Sequence, residues 1–180
     1  PKDELILTVI ELNETAELAL GTEQGVVKRV VADYPAKDEF EIISLKDGDR
    51  VVGAALATDA STLVFVSSDA QLLHYSASSV RPQGRPAGGV AGINLDEAAK
   101  VIYFTAVSSA ENAVVVTAAN SSLSIPGTDA GSLKISDLSE FPGKGRATGG
   151  VRSQRFVRGE DQLYFAWVGN EPIKALTADG

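Results

Sequence analysis

A glycine-arginine phrase occurs twice in this chain and constrains its fold more than any other feature. Residues 84–90 (Gly-Arg-Pro-Ala-Gly-Gly-Val) return as residues 145–151 (Gly-Arg-Ala-Thr-Gly-Gly-Val), each time after a run typical of β-strands. A phrase that recurs in this way indicates a repeat architecture. Each copy also places a guanidinium group on a backbone that glycine allows to turn tightly. We therefore expect several equivalent contacts to one extended anionic partner, for which double-stranded DNA is the first candidate.

The composition is that of a folded chain without a membrane segment. With 180 residues, of which 44% are hydrophobic and 22% charged, the chain is long enough for one domain or one repeat array. No apolar run approaches the roughly 20 residues that span a bilayer, and residues 1–4 lack the features of a signal peptide. The absence of cysteine fits a reducing compartment. We predict a cytoplasmic protein that is not associated with a membrane.

Charge is segregated along the chain. The formal net charge of −8 argues against a general binder of polyanions. Residues 1–24 carry six acidic side chains against one lysine, whereas residues 141–158 carry five basic side chains and no acidic one. An acidic molecule can therefore still present a local basic track. The alternative is that these are ordinary solvated arginines in loops.

Short β-strands account for the apolar pattern. Runs rich in β-branched and aromatic residues are separated by turn signals such as Asp47-Gly48-Asp49, and no window longer than about ten residues has a capped helical stripe. The fold class predicted is all-β. The predicted strands are residues 5–10, 26–31, 51–56, 63–66, 101–104, 114–117 and 163–168.

Hairpins recur at a period of about 45 to 60 residues, which is the size of a propeller blade. Residues 18–29 are echoed by residues 63–74, and a weaker third copy is residues 113–123, with residues 127–132 as a loop insertion. Each unit is then a hairpin, a basic loop, a strand such as residues 90–95 and a closing strand. We predict that residues 1–180 form a single domain, or a fragment, of about three to four blades that continues at both ends into a longer protein. Residues 5–10 should pair with a neighbouring unit or leave an open edge.

Four phrases in order give a family resemblance over essentially the whole chain. They are residues 25–29 followed by Asp33-Tyr34-Pro35, residues 45–54, residues 79–93 and residues 143–151. In these phrases the chain resembles the C-terminal β-pinwheel of the A subunits of bacterial type IIA topoisomerases, DNA gyrase and topoisomerase IV. That resemblance implies a propeller-like β-pinwheel whose four-stranded blades exchange an edge strand and whose basic rim carries a bent duplex.

The resemblance also implies the partners and the site. The domain itself would be non-catalytic, bind no cofactor and bend the transported duplex for decatenation or relaxation. The ATP and Mg²⁺, the rest of the A subunit and the ATPase B subunit belong to the expected holoenzyme. The basic residues expected to face phosphates are Lys28, Arg29, Arg81, Arg85, Lys144, Arg146 and Arg152.

One departure from the family bears on which member this is. The gyrase A subunit carries a Gln-Arg-Arg-Gly-Gly-Lys-Gly box, and no such box occurs in these residues; the nearest string, residues 143–150, matches an ordinary blade loop better. Residues 70–73 and 81–89 look most like the A subunits of actinobacterial topoisomerase IV. Either the first blade, which carries the box in gyrase, is missing from these residues, or the chain belongs to a topoisomerase IV, and we favour topoisomerase IV.

Other functional interpretations have less support. The single histidine, His74, lies in a predicted hairpin strand, and residues 84–89 lack the Gly-Lys-Ser/Thr ending of a nucleotide-phosphate loop. Trp167 lies in an apolar run and is expected to pack in the core. The rival hypothesis is a propeller-like protein-binding module, in which the loop arginines pair with neighbouring acidic side chains. The position of the arginines separates it from the DNA hypothesis.

Overall fold

Among the residues that the structure describes, the fold has eleven β-strands and two short 3-10 turns. The computed structural model describes residues 6–11, 17–123, 131–170 and 173. The strands are β1 (Glu17–Thr22), β2 (Val26–Val30), β3 (Val51–Ala57), β4 (Thr62–Ser67), β5 (Gln71–Ser76), β6 (Val90–Ala91), β7 (Val101–Val107), β8 (Ala113–Asn120), β9 (Ser132–Asp137), β10 (Val151–Arg152) and β11 (Gln162–Asn170). The 3-10 turns are Ala77–Ser79 and Leu138–Glu140.

The strands form three antiparallel sheets, which we call the first, second and third blades. Their strand orders are β3-β1-β2-β6, β10-β5-β4-β7 and β11-β8-β9. Each blade is built on a hairpin, and the strand that closes it, β3, β7 or β11, pairs with the first strand of that hairpin. The predicted all-β repeat is confirmed.

The first two blades are completed by a strand from the next unit along the chain. Strand β6 follows the second hairpin, yet Val90 pairs with Val27 of the first blade. Likewise, β10 follows the third hairpin, and Val151 pairs with Leu72 of the second blade. This is the edge-strand exchange that the family resemblance implies.

The exchanged strand is shorter than the predicted residues 90–95. The amides of Gly92 and Ile93 both donate to the carbonyl of Gly25, at 2.8 and 3.1 Å, and not to a continuing ladder. The chain therefore leaves the first blade after Ala91 and turns back toward its own unit.

Apolar side chains fill the spaces between blades. One cluster joins the first and second blades, and another joins the second and third. At the first of these interfaces, Phe104 occupies the space beside Gly21, where an added Cβ would lie 2.2 Å from the Phe104 ring. A residue without a side chain is required there because the blades approach closely.

A polar contact also joins each blade to the next. Arg29 of β2 donates to the carbonyl of Val80 at 3.1 Å, and His74 of β5 lies 2.8 Å from the carbonyl of Phe141. Val80 and Phe141 each follow a 3-10 turn, so the two contacts occupy equivalent positions. His74 therefore links two blades.

Three predictions about individual elements were wrong or incomplete. Residues 6–10 are not a strand, and Leu5 lies outside the described residues; Ile10 packs instead on the apolar cluster of the first blade. Ser132 was placed in a loop insertion but begins strand β9, and the residues 127–130 of that insertion are outside the described part of the chain. Trp167 is only half-buried, because its face of the third blade has no neighbouring blade in the described residues. No helix in the described residues is long and apolar enough to cross a membrane.

Candidate nucleic-acid interface

The glycine pair in each glycine-arginine loop positions the strand that follows it. Gly89 and Gly150 have φ angles of 82° and 76°, in the left-handed region that favours glycine. A Cβ at Gly89 would lie 2.6 Å from the carbonyl oxygen of Val27, and one at Gly150 would lie 2.5 Å from that of Leu72. Glycine thus lets each loop pass close to the strand with which the following exchanged strand pairs, β2 for the first loop and β5 for the second.

The second loop lies on the first exchanged strand. The amide of Ala147 donates to the carbonyl of Gly92 at 2.8 Å, and the guanidinium group of Arg146 donates to the carbonyl of Ala91. The amide of Asn94 in turn donates to Thr148 at 3.0 Å. Loops from consecutive units are therefore in contact, and Arg146 lies beside the edge of the first blade.

Arg85, in the first loop, is partly engaged within the fold. Its guanidinium carbon lies 5.8 Å from the centre of the Phe40 ring, which is a cation–π distance. The side chain is half-buried. Phe40 precedes β3 by the same interval as Val90 precedes β7, so Phe40 marks the segment of the first unit that is equivalent to an exchanged strand. Arg85 therefore contacts that segment of the first unit, just as Arg146 contacts the exchanged strand β6 of the second unit.

Lys28 and Arg29 lie in the interior, and we exclude both from the candidate interface. Lys28 is 0% exposed, and its ammonium group donates to the carbonyls of Ile42, Arg85 and Ala87 at 2.7, 2.6 and 2.7 Å. This burial lowers the pKa of Lys28. Sequence reasoning missed the burial because the three carbonyls come from distant loops.

Arg29 also lies in the interior and is engaged there. It is 2% exposed and forms ion pairs with Glu17 and with Asp59, in addition to its contact with the next blade. Its side chain stabilises the junction of two blades, which leaves no face of the guanidinium group for a duplex.

The remaining predicted basic side chains are on the surface. Four of them are exposed. Two basic residues of the 141–158 run that we did not predict as contacts, Arg155 and Arg158, are exposed as well, and we add Arg155 because it lines the same groove as Arg152. The charge run at residues 141–158 was the signal that could have identified Arg155. The exposed basic residues that we retain as candidate contacts are Arg81, Lys144, Arg146, Arg152 and Arg155.

These five side chains, which we call the basic surface, have no carboxylate partner among the described residues. The ion pairs between side chains of the described residues involve other basic residues, namely Arg29, Arg50 and Lys100. The basic surface therefore keeps its charge available for an external anion.

Lys144 is the weakest member of this group. Its ammonium group donates to the carbonyl of Gly150 at 2.8 Å, and it shares a cleft with Asp69 and Asp96. These two carboxylates reduce the positive potential at Lys144 even though neither forms an ion pair with it. The four arginines therefore carry most of the expected attraction for phosphates.

The chemistry available at this surface is electrostatic. Guanidinium groups donate several hydrogen bonds in a fixed plane that suits phosphate oxygens. Among the residues that the structure describes, no group of three histidine or acidic side chains is arranged to hold a metal ion. Each exposed guanidinium group of this set can therefore bind an anionic group such as a phosphate.

Comparisons with known proteins agree with this architecture. The family described as DNA gyrase C-terminal domain, beta-propeller, matches residues 41–58, 61–108 and 127–163. The gyrase A protein of Escherichia coli K12 is 30% identical over 156 residues, covering 82% of this chain and 16% of that protein. The gyrase A protein of Mycobacterium leprae is 28% identical over 188 residues, covering 99% of this chain and 14% of that protein. The chain thus spans about a sixth of the length of these relatives.

Solved structures share the fold. The C-terminal domain of a DNA topoisomerase IV superposes with a TM-score of 0.75 at 22% identity, covering 90% of this chain and 49% of that one. A DNA gyrase A C-terminal domain gives a TM-score of 0.69 at 21% identity, covering 89% of this chain and 51% of that one. Together with the family match over more than half of the sequence, these findings show that the chain belongs to the family of DNA gyrase C-terminal β-propeller domains.

Proposed function

We propose that this chain is a non-catalytic DNA-binding domain of an ATP-dependent type IIA topoisomerase. In this role it binds and bends the transported duplex, so that the duplex approaches the cleavage gate in the correct orientation. The rest of the A subunit and the ATPase B subunit supply bond breakage, ATP and Mg²⁺. The domain itself acts in the cytoplasm, on the nucleoid.

The observation that carries this proposal is the contrast between two sets of basic side chains. Arg29 and Arg50 are paired with carboxylates, whereas the five residues of the basic surface have no carboxylate partner among the described residues. This contrast favours DNA over the rival protein-binding module, which required the loop arginines to pair with acidic neighbours. An unpaired basic surface on an acidic molecule is typical of a local phosphate-binding site.

Binding of this kind would contact the DNA backbone rather than read base edges. Arginines on loops and on two-residue strands neutralise phosphates, and the cost of deforming DNA sets any sequence preference. The glycine amides beside them can donate further hydrogen bonds to phosphate oxygens. With four arginines in the proposed contact set, we expect modest affinity that falls steeply with salt.

We further propose that the holoenzyme is of the topoisomerase IV type. The support is the likeness of residues 81–89 to that subfamily and the absence of a Gln-Arg-Arg-Gly-Gly-Lys-Gly box from these 180 residues. The reconstituted holoenzyme is then expected to relax and decatenate DNA without introducing negative supercoils. Negative supercoiling of a relaxed plasmid would assign it to gyrase instead, without affecting the proposal of DNA binding.

Deletion of the domain from the holoenzyme tests its role directly. We expect cleavage of linear DNA to persist, because the domain makes and breaks no bonds, while the preference for decatenation over relaxation changes. A holoenzyme that keeps its full decatenation preference without the domain would contradict the proposal.

A further inference from the structure

Two adjoining clefts at one end of the second blade share a pair of carboxylates. Asp69 lies in the turn between β4 and β5, and Asp96 lies in the segment before β7. These two residues, which we call the acidic pair, line the cleft that contains Lys144 and the end of the second glycine-arginine loop. They also line the next cleft, which reaches Asp161 in the segment before β11. Carboxylates therefore extend from the loop to the third blade.

The backbone holds this border between the second and third blades in place. The amide of Leu163 in β11 donates at 2.7 Å to the carbonyl of Ser68, in the turn that carries Asp69. The hydroxyl of Ser67 donates to the carboxylate of Asp69. Asp69 is therefore fixed beside the third blade, in the cleft that it shares with Asp161.

No ion pair neutralises these three carboxylates among the described residues. The ion pairs between described side chains use other acidic residues. Ser122 donates its hydroxyl and its amide to Asp161, at 2.7 Å each, and the two hydrogen bonds lower the pKa of Asp161. Asp96 and Asp161 are exposed and Asp69 is partly exposed, so their negative charge faces solvent.

The repeat does not require the acidic pair for its fold. Gln24 precedes β2 by two residues, as Asp69 precedes β5. Lys46 precedes β3 by five residues, as Asp96 precedes β7. The first unit thus builds the same turn and the same segment with an amide and a lysine. The two carboxylates are therefore a feature of the second unit and not of the repeat.

We propose that the acidic pair and Asp161 are negative determinants of DNA binding, which repel phosphates from this end of the second and third blades. Their role rests on the proposed DNA binding, since it defines where on the domain a duplex is excluded. A phosphate near these carboxylates meets like charges, and an unfavourable contact of this kind discriminates against one binding position. Lys144 lies at the border and contributes little while the acidic pair is charged. The repulsion also limits affinity, which favours release of the duplex after strand passage.

Neutralising the acidic pair tests this role. Asp69→Asn with Asp96→Asn keeps side chains of the same shape, and the amide oxygen at position 69 can still accept from Ser67. We expect duplex binding, measured by fluorescence anisotropy at low salt, to become about three- to tenfold tighter. The control is Asp38→Asn with Glu111→Gln, which changes the net charge equally at two exposed residues that line neither cleft. It should change the affinity by less than about twofold.

Lys144 reports whether the effect is local. Lys144→Gln should weaken binding by less than about twofold in the unchanged chain and by about fivefold or more in the neutralised variant. In the neutralised variant it should also lower the slope of log affinity against log salt by about one. A general effect of net charge would give Lys144→Gln the same consequence in both backgrounds. Asp96→Asn alone replaces the double variant if the latter alters the circular dichroism spectrum.

The outcomes distinguish failure of this role from failure of the proposed function. If the unchanged chain binds DNA, three results would each overturn the negative determinants alone. These are an unaltered affinity of the neutralised variant, an equal gain in the control variant, and an equal effect of Lys144→Gln in both backgrounds. If neither the unchanged chain nor the neutralised variant binds DNA, the proposed DNA binding fails and the negative determinants fail with it.

Discussion

The ammonium group of Lys28 donates a 2.6 Å hydrogen bond to the carbonyl of Arg85, and this bond joins the first blade to the glycine-arginine loop of the second unit. Both residues were predicted from the sequence to face DNA. In the structure, Lys28 is buried in the interior and Arg85 is half-buried. The loop therefore stabilises the exchanged strand as well as presenting positive charge.

Replacing Lys28 should affect stability and not DNA binding. Lys28→Met removes three hydrogen bonds and leaves buried carbonyls without donors, so we expect the free energy of unfolding to fall by about 1 to 3 kcal/mol. Urea denaturation measures this change. Lys37→Met, at an exposed lysine, is the matched control and should change stability by less than about 0.5 kcal/mol. A folded, equally stable Lys28→Met protein with weaker DNA binding would show that Lys28 contacts phosphate after all.

The exchanged strand of the second blade should depend on one glycine. Gly150→Ala forces a Cβ toward the carbonyl of Leu72 at positive φ, and we expect a loss of about 1 to 3 kcal/mol in unfolding free energy. Gly145→Ala lies in the same loop, where an added Cβ has no atom within 4 Å and the φ is not left-handed. Thermal denaturation of the two variants compares them, and equal midpoints would contradict the structural role of Gly150.

Acid should weaken the ion pairs that Glu23, in the turn between β1 and β2, forms with Arg50 and Lys100. Burial works to raise the pKa of Glu23, but the hydrogen bonds and charges of Arg50 and Lys100 outweigh it and hold the pKa below 4.5. Because the folded pKa is lowered, the stabilisation is complete above the unfolded pKa of 4.5 and is lost as the pH falls through the folded value. Arg50 and Lys100 are exposed, so the effect is about 0.5 kcal/mol or less.

Comparison of urea unfolding at pH 7 and pH 3 isolates this contribution. Glu23→Gln should lower stability at pH 7 and reduce its dependence on pH. Glu97→Gln, at an exposed position in the turn before β7, is the control and should keep the pH dependence of the unchanged chain. Identical pH profiles for Glu23→Gln and the unchanged chain would remove Glu23 from the ion-pair network.

The repeat, the hairpins and most strands could be predicted from the sequence because they depend on local patterns of residues. The pairs Val27 with Val90 and Leu72 with Val151 confirmed the exchange, but the register could not be read from one sequence, since it depends on where two distant segments meet. The same reason explains the error at Lys28: a lysine in a basic phrase resembles a surface residue until distant carbonyls enclose it. Strand β9 was missed although its residues alternate, because only two of them, Leu133 and Ile135, are apolar and the segment directly follows the turn signals Gly127 and Gly131.

The central claim is that unpaired arginines bind DNA phosphates, and a salt titration of duplex binding tests it most directly. Fluorescence anisotropy with a linear duplex is measured at several salt concentrations for the unchanged chain and for two variants. The first variant is Arg152→Gln with Arg155→Gln, and the second is Arg50→Gln, which removes an exposed arginine that is paired with Glu23.

We predict binding that weakens steeply with salt. The double variant should lower the slope of log affinity against log salt by up to about two, one for each phosphate that is no longer neutralised, while Arg50→Gln leaves the slope unchanged. The absence of salt-dependent binding by the unchanged chain, or an equal slope for the double variant, would contradict the proposed interface.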